Sequence, residues 1–443
     1  MSKYKPYPAY KTSSEVPWIA NVPDQWAVGR LSCISTCNDD VVSERALGQE
    51  DIRYVDISSV SGREGIHRAE EMPFHEAPSR ARRRAREGDV VISTVRTYLK
   101  AVAPVTREYS DCIYSTGFAV LRANEKCDPE FLRWAALNES LVQAVEANSN
   151  GVSYPAINAS DLHKLKTALP PLDDQHAVSA VLQRETTRID ALIATKARFI
   201  ELLREKRQAV ITHAITKGLD PNVRMKDSGV EWLGDVPAHW EVKPLMRLTP
   251  DDRQIVYGIV LPGPDAPGGV PIVKGGDVDP ERLTLSRLKR TTVAIESAYV
   301  RSRLRQGDIV YAIRGSIGAA AMVPAEIEGA NLTQDAARVS PGPSTFGPWL
   351  YYALTSSALF AQLEARSTGT TIRGINIYDL RRALVPTPPV DEQIAIADVL
   401  TRRLARLDNL NLLTKRSIEL LKDRRSSLIT AAVTGQIDLR GTA

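Results

Sequence analysis

A polar loop follows a Gly-Asp pair and a β-branched run in each half of this 443-residue chain. Its candidate binding residues are Arg96, Tyr98, Lys100, Arg314 and Ser316. A glycine-bearing turn lets the backbone approach a ligand closely, so amides, arginine and serine can contact a phosphate or a base edge. Arg96 and Arg314 correspond if the alignment slips by one residue. A solvated hairpin remains the alternative for the same residues.

A second polar loop, residues 148–155 and 367–374, has Asn, Ser, Thr, Tyr and Arg at matched positions of two otherwise divergent bodies. Its candidate binding residues are Asn150, Ser153, Tyr154, Thr370, Thr371 and Arg373. Their chemistry is again hydrogen bonding, from side chains with both donors and acceptors. The alternative is a turn that closes each globular body onto the helix that follows it.

The sequence has no evident catalytic or metal-binding pattern. The six histidines show neither ligand nor triad spacing, and no second Cys or His pair follows Cys33 and Cys37 at zinc spacing. The Pro-Pro pairs lie in Leu-Pro-Pro-Leu and Thr-Pro-Pro-Val, unlike the Asp/Asn-Pro-Pro-aromatic site of adenine methyltransferases, and a P-loop is missing. We therefore expect no catalysis, cofactor or metal on this chain.

Composition favours an ordinary globular protein. The 57 basic and 53 acidic residues give a net charge of +4, so a strongly basic nucleic-acid footprint is missing. Arginines alternate within Arg80–Arg86 and Arg301–Arg305, which predicts that each row lies on one face of a strand. Without an apolar run long enough to span a bilayer or an N-terminal signal segment, and with cysteines expected to be reduced, we expect a cytoplasmic protein without membrane contact.

The chain contains one unit twice. Val16–Val28 and Val230–Val242 are similar openings, and Ser149–Gln175 lines up with Ser367–Gln393 without a gap. A duplication of this size is a whole domain plus a connector, too long for a solenoid repeat. The tryptophan of each opening, Trp26 or Trp240, is predicted to be a core anchor.

Each repeat is predicted to be a mixed body followed by a long helix, an α+β fold. Strands are indicated at 51–60, 88–95, 117–123, 270–275, 307–313 and 335–340, and one amphipathic helix at 129–147 and at 348–365. The long helices begin at the N-capping residues Asp173 and Asp391. The first runs to Lys217, which is about 45 residues or roughly 65 Å.

Steps of four and three residues predict an apolar seam along each long helix. The first seam is Val178, Leu182, Glu185, Ile189, Leu192, Lys196, Phe199, Leu203, Lys206 and Val210. The second is Ile396, Leu400, Arg403, Leu407, Leu410, Thr414, Ser417, Leu421, Arg424 and Leu428. Such seams bury themselves against a partner helix, so the two helices are predicted to pair as an antiparallel coiled coil. The tail after Thr434 is expected to be loosely ordered.

These patterns divide the chain into four parts. Residues 1–170 form the first body and 171–220 the first long helix. Residues 221–388 form the second body, and 389–443 the second long helix with the C-terminal tail. The polar stretch Asp220–Gly229, which carries Pro and Gly, is the predicted boundary between the repeats.

Several repeated motifs resemble those of the DNA-specificity (S) subunit of type I restriction-modification systems. They are Lys226–Trp240 with its weaker copy before Trp26, the Pro-Pro-Leu-Asp-Asp-Gln and Pro-Pro-Val-Asp-Glu-Gln helix openings, and the Gly-Asp strands. The resemblance covers essentially the whole chain. The first repeat departs from the pattern at Pro17, where an acidic or small residue is common before Trp. We expect that change to affect docking or packing at most.

The resemblance implies a non-catalytic reader of double-stranded DNA, in which each body is a target-recognition domain for one half of a bipartite site. It also implies that the helices form a spacer that docks two methyltransferase (M) subunits, which restriction (R) subunits join. S-adenosylmethionine would then belong to the methyltransferase, and ATP and Mg to the restriction subunit. Two alternatives remain: a fused type II-like restriction/methylation enzyme, and a coiled-coil scaffold for other proteins.

Overall fold

The computed structural model describes residues 4–12, 16, 18–19, 21–43, 50–62, 65–366 and 374–440. The chain divides into two units. The first unit contains Met1–Ala197 and Arg416–Ala443, and the second unit contains Arg198–Lys415. Each unit is therefore a mixed α+β body together with parts of both long helices. None of the helices within these residues is both long and apolar enough to cross a membrane.

The first unit is built on two four-stranded sheets among the residues described. Its strands are β1 (Tyr10–Thr12), β2 (Asn21–Pro23), β3 (Ala27–Arg30), β4 (Ser35–Cys37), β5 (Asp51–Val55), β6 (Val60–Ser61), β7 (Gly65–Ile66), β8 (Glu70–Pro73), β9 (Ala81–Arg84), β10 (Val90–Ser93), β11 (Val102–Pro104), β12 (Ile113–Ser115), β13 (Phe118–Ala123) and β14 (Lys166–Leu169). The four-stranded sheets have the orders β11-β10-β13-β4 and β8-β5-β12-β9. Within the second, β5 and β12 are parallel.

The second unit repeats this plan. Its strands are β15 (Met225–Asp227), β16 (Asp235–Pro237), β17 (Glu241–Pro244), β18 (Val256–Tyr257), β19 (Val270–Val273), β20 (Lys289–Thr291), β21 (Ile309–Ala312), β22 (Ala320–Met322), β23 (Asn331–Leu332), β24 (Ala336–Val339) and β25 (Leu384–Thr387). The order β18-β24-β21-β22 matches the first sheet of the other unit, and β19 pairs in parallel with β23 as β5 does with β12. The predicted strands are thus confirmed in both units.

The helices are α1 (Pro129–Ala136), α2 (Glu139–Ala147), α3 (Ala159–Leu162), α4 (Leu172–Lys217), α5 (Val293–Glu296), α6 (Gly347–Leu354), α7 (Ser357–Glu364), α8 (Ile377–Arg382) and α9 (Val390–Val433). The prediction of a single amphipathic helix in each body is wrong, because each is two helices. Asn138 caps α2 and Ser356 caps α7, each by accepting a backbone N–H with its side chain. These short polar side chains favour a new N-terminus over a continuous helix.

The long helices pair in antiparallel fashion within each unit, as predicted. In the first unit, Val181 and Leu182 of α4 share a core with Ile429 of α9, and Asp190 forms a 3.0 Å ion pair with Arg425. In the second unit, Ile211 and Ile215 of α4 share a core with Ile396 and Leu400 of α9. There Arg207 lies 3.5 Å from Asp408. An early part of each helix therefore packs on a late part of the other.

Alternate positions of the predicted seams are displaced by one residue. Leu182 and Ile189 are buried as predicted, but Thr186 (2% exposed) replaces Glu185, and Leu192 is 44% exposed. The hydroxyl of Thr186 donates to the carbonyl of Leu182 at 2.7 Å, so a polar side chain can occupy the seam without an unpaired group.

The seam of α9 shows the same displacement, since Leu404 is buried in place of the exposed Arg403. Positions i+3 and i+4 lie on one helix face, so spacing alone does not choose between them.

Equivalent hydrogen bonds attach each body to its helix. Trp26 and Trp240 are fully buried, which confirms the predicted anchors. The indole N–H of Trp26 donates to Asp174 of α4 at 2.6 Å, and that of Trp240 donates to Glu392 of α9 at 3.0 Å. The recurring Pro-Pro-X-Asp-X-Gln motif therefore places an acidic side chain where it accepts from the indole.

The final Gln of that motif joins the start of each long helix to its body. The side-chain oxygen of Gln175 accepts from the Asp128 N–H at 2.8 Å, and its amide donates to the Pro170 carbonyl at 2.9 Å. In the second unit, Gln393 accepts from the Phe346 N–H at 2.8 Å and donates to the Pro388 carbonyl at 2.9 Å. Asp128 and Phe346 are the N-caps of α1 and α6, so the same bonds fix the orientation of both helices.

Two further predictions are wrong. The tail is ordered through residue 440, because Leu439 is buried in the first core and the Asp438 N–H donates to the Lys5 carbonyl at 2.7 Å. The second arginine row is not a strand face, since Ser297–Ser302 form a 3-10 helix. Arg303 instead donates twice, at 2.6 Å each, to the buried carboxylate of Glu296.

Candidate nucleic-acid interface

A buried aspartate fixes the strand that leads into the first polar loop of each unit. Asp89 precedes β10 and accepts two hydrogen bonds from Arg122, at 3.0 and 2.7 Å. Asp308 precedes β21 and accepts from Arg253 at 2.6 Å. A paired carboxylate in the interior is stabilised by these charge-assisted bonds. The Gly-Asp motif thus anchors a rigid strand, and the residues beyond its end are held on that support.

In the first unit, the structure brings the two predicted polar loops together. The Ile157 N–H donates to the Thr94 carbonyl at 2.9 Å, and the Thr97 hydroxyl donates to Ser149 at 2.8 Å. The guanidinium carbon of Arg96 lies 5.1 Å from the centre of the Tyr154 ring. We call residues 94–101 and 148–157 together the first-unit loops. Their side chains form one surface on the end of the sheet.

The predicted residues of this surface differ in how far their side chains are exposed to solvent. Arg96, Asn150 and Ser153 are exposed, Tyr98 is 48% exposed and Tyr154 is 67% exposed. These five side chains can therefore reach a ligand, although their contact with DNA remains a prediction.

Lys100 is less available than these five. Its ammonium lies 2.6 Å from a carboxylate oxygen of Glu139, and that hydrogen bond raises the lysine pKa. The pairing offsets the positive charge that Lys100 would bring to DNA.

In the second unit, the exposed residues Arg314 and Ser316 lie on the equivalent loop. The Ile375 N–H donates to the Ile313 carbonyl at 2.9 Å, so this loop also meets the segment that precedes the helix. The predicted residues Thr370, Thr371 and Arg373 lie outside the described residues. Arg314 forms a β-bridge with Gly374, the first residue described after them.

The sheet register corrects the proposed correspondence of Arg96 with Arg314. Val95 bridges to Ala156 as Arg314 bridges to Gly374, so Arg314 occupies the place of Val95. Arg96 consequently takes the place of Gly315. The fold therefore does not align Arg96 with Arg314, and the two arginines occupy different positions in their loops.

Arg314 lines an open cleft of about 1080 Å³ in the second unit. Tyr257, Lys274, Gln334 and Asp335 also line it. Arg and Gln offer the paired donors and acceptors that recognise guanine and adenine in a major groove, and Lys contacts phosphate or guanine. The cleft therefore presents a set of groups able to read base edges.

Sequence reasoning missed Tyr257, Lys274, Gln334 and Asp335 of this cleft. Gln334 and Asp335 belong to the segment Leu332–Asp335, whose sequence differs from that of Tyr114–Gly117 at the same place in the sheet. That divergence between otherwise similar frameworks was a usable signal. Tyr257 and Lys274 carried none, because β18 and β19 reach the cleft only through long-range strand pairing.

The described residues contain no group of three or more His, Cys, Asp or Glu side chains arranged to hold a metal ion. Burial raises the pKa of the Cys112 thiol and of the Cys127 thiol to about 12 each. At neutral pH both thiols are therefore protonated and poor nucleophiles. The chemistry of the exposed loops is hydrogen bonding and charge.

A family model described as "Type I restriction modification DNA specificity domain" matches residues 266–422. The chain is therefore similar to the type I restriction-modification specificity subunits in this region. The matched residues include β19 to β25, the cleft residues Arg314 and Gln334, and most of α9.

Curated relatives extend the similarity beyond the second unit. The specificity subunit of the type I restriction enzyme EcoBI from Escherichia coli is 25% identical over 301 residues, 67% of this chain and 63% of that protein. The putative type I restriction enzyme MjaX specificity subunit from Methanocaldococcus jannaschii is 23% identical over 372 residues, 80% of this chain and 79% of that protein. The chain thus spans just under two thirds of the length of its E. coli relative.

Solved structures show the same fold. One, from work on complex assembly and conformational transition of the type I R-M system, has a TM-score of 0.71 at 23% identity and covers 95% of this chain and 99% of its own. The HsdS subunit from Thermoanaerobacter tengcongensis has a TM-score of 0.53 at 23% identity, with 94% and 98% covered. The chain therefore shares its fold, mixed bodies with long helices, with solved structures.

Proposed function

We propose that this chain is a type I restriction-modification specificity subunit that reads an asymmetric, bipartite sequence in double-stranded DNA and performs no catalysis itself. Each body reads one half, while methylation and cleavage belong to partner subunits. The supporting observation is a similar framework in both units that carries different hydrogen-bond donors. Both units anchor the reading loop with a Gly-Asp strand, but the first presents Arg96 and Tyr154 where the second presents a cleft with Arg314 and Gln334.

The hydrogen-bond donors of the loops fall into two groups according to the part of the DNA that they would contact. Arg314 and Gln334 lie on rigid strand ends and suit base edges, which carry the sequence information. Backbone amides and the exposed Ser316 suit phosphates, which position the protein without specifying sequence. Because the net charge of the chain is only +4, phosphate attraction alone is weak, and the isolated chain binds DNA poorly. Specific DNA binding by this chain then requires that partner subunits are bound to it.

Two methyltransferase subunits dock on the long helices in this proposal. Three pairs of exposed apolar residues recur at equivalent positions of α4 and α9. They are Leu172 and Val390 (44% and 39% exposed), Leu192 and Leu410 (44% and 43%), and Leu202 and Leu420 (45% and 61%). Because the same exposed apolar positions recur in both repeats, we assign them to contacts with the two docked subunits. Restriction subunits join this core, S-adenosylmethionine belongs to the methyltransferase, and ATP and Mg belong to the restriction subunit.

Co-expression with a methyltransferase subunit encoded beside this chain, followed by genome-wide mapping of methylated bases, tests the function. We expect one new motif made of two unlike halves separated by an unread gap. A continuous or palindromic motif, or the lack of new methylation, contradicts the proposal.

Exchange of the second body, Val230–Pro389, for that of another specificity subunit tests which body reads which half. Only one half of the motif should change. A change in both halves refutes the assignment of one body to each half.

The docking surface has a separate test. Serine at Leu192, Leu202, Leu410 and Leu420 should abolish co-purification of the methyltransferase while leaving the circular dichroism spectrum unchanged, because these side chains are exposed in the free chain. The native mass of the unsubstituted complex should correspond to two methyltransferase copies. Two copies retained on the substituted chain would show that docking occurs elsewhere.

A further inference from the structure

The two reading loops differ at two backbone positions that favour glycine. Gly315 and Gly318 have φ angles of +72° and +87° in the second unit. The first unit keeps the same left-handed conformation with Arg96 and Lys100, each at φ +51°. Ala101 and Ala319 support this equivalence, because the carbonyl of each accepts at 2.8 Å from the N–H of the last strand residue, Ser93 of β10 or Ala312 of β21. Long side chains are uncommon in this conformation, and outliers of this kind concentrate at functional sites.

The two cations in these positions have different surroundings. Lys100 is paired with Glu139 at 2.6 Å, and this pair connects the loop to α2. Arg96 is exposed, and no carboxylate pairs with it among the residues that the structure describes. Its guanidinium instead lies over the Tyr154 ring at 5.1 Å. Lys100 thus holds the loop in place, while Arg96 keeps its donors for a ligand.

Stacking prepares the Arg96 side chain for a planar, two-bond contact. The ring of Tyr154 restrains the face of the guanidinium, and its N–H edges remain free to donate. A fork of parallel donors matches the O6 and N7 acceptors of guanine in the major groove. A phosphate contact needs no such restraint, since the backbone amides and serines of the loop also serve it.

We propose that Arg96 is the residue that reads a guanine in the half-site recognised by the first unit. The inference rests on the proposed function, in which that unit reads one half of the target. Tyr154 acts as a positioning residue, because it orients the guanidinium without itself contacting the base edge. The second unit, which has Gly315 in this place, reads its half-site through other side chains.

Arg96→Gly is the first test, because the second unit has a glycine, Gly315, with positive φ at the equivalent position. In the complex with the methyltransferase, methylated-base mapping should show that one G·C position of the first half-site becomes degenerate. The preference for guanine there should fall roughly 5- to 150-fold. The second half-site should stay the same. Arg107→Ala, which removes an exposed arginine from another turn of the same unit, is the matched control and should leave the motif intact.

Arg96→Lys separates base reading from charge. Lysine keeps the positive charge but lacks the fork, so the same position should become degenerate while the salt dependence of binding stays near that of the unsubstituted complex. If the motif is unchanged in Arg96→Gly, Arg96 does not read a base. If methylation falls equally at all sites and Arg96→Lys restores it, the residue contacts phosphate. Either result overturns the inference. A bipartite motif in the unsubstituted complex establishes the function independently of both.

Discussion

Replacement of each anchoring tryptophan by phenylalanine should affect the two units unequally. Trp26→Phe removes the indole donor to Asp174, which has no other side-chain donor among the described residues and is 7% exposed. Trp240→Phe leaves Glu392 with His239, whose Nε2 lies 2.9 Å from the same oxygen, and the Glu392 side chain is 29% exposed. The two substitutions leave the same smaller ring in a fully buried place, so the packing losses are similar.

The hydrogen-bond losses therefore decide the difference. A bond to a charged group contributes about 1.5–3 kcal/mol, and a buried acceptor without a partner loses all of it. In the second unit, loss of the indole hydrogen bond costs only about 0.5–1.5 kcal/mol of stability, since the Glu392 carboxylate keeps its contact with His239 and with water. Trp26→Phe should thus destabilise its unit by roughly 1–2 kcal/mol more than Trp240→Phe destabilises the other, which corresponds to about 5- to 30-fold in opening equilibrium.

Hydrogen–deuterium exchange of the β10 and β21 amides measures the opening of each unit in the full chain. Each substitution should accelerate exchange in its own unit, and the acceleration should be greater for Trp26→Phe. Equal acceleration, or a larger effect of Trp240→Phe, would refute the argument that the buried, singly paired carboxylate makes the first anchor more sensitive.

Three other predictions follow from single side chains. Gln334→Ala in the methylating complex should relax one adenine position in the half-site of the second unit, by about 1–3 kcal/mol of discrimination, as read from the methylated motif. The hydrogen bond from Arg303 lowers the Glu296 pKa, so its stabilisation is present above the unfolded value of about 4.3 and is lost as pH falls through the lower folded value. Arg303→Gln should reduce that acid-dependent loss, because the substitution removes the guanidinium that donates both bonds to the carboxylate; urea unfolding at pH 7 and below pH ~4 measures the change. Leu203 is 7% exposed, so Leu203→Ala should destabilise the second unit by about 2–3 kcal/mol. Leu202 is 45% exposed, so Leu202→Ala should destabilise it by less than about 1 kcal/mol. Hydrogen exchange of the β21 amides measures both effects.

Each of these predictions has a control or a contrary outcome. Gln306→Ala removes an exposed glutamine outside the cleft and should leave the motif unchanged. An unaltered motif in Gln334→Ala would exclude that residue from base reading. If Arg303→Gln and the unsubstituted chain lost stability equally as the pH falls, the ion pair with Glu296 would not contribute to acid stability. Equal destabilisation by Leu203→Ala and Leu202→Ala would contradict the observed burial of Leu203 and exposure of Leu202.

Local sequence patterns were enough to predict most elements. β-Branched runs such as Val90–Ser93 and Ile309–Ala312 predicted strands, because strand propensity and the bounding Gly and Asp residues act over a short stretch of chain. The long amphipathic segments predicted α4 and α9 for the same reason. The helix seams were only half correct, because a threonine can be buried when its hydroxyl bonds within the helix, and composition does not reveal that bond.

The sequence by itself determined that this chain has two like frameworks with unlike polar loops, since duplication and divergence are both visible in aligned residues. Tertiary structure decided which side chains are available. Strand pairing brought Tyr257, Lys274 and Gln334 beside Arg314, and an ion pair with Glu139 occupied Lys100. These outcomes depend on contacts between residues far apart in the chain, which are set by register and by the packing of sheets and helices rather than by local propensity.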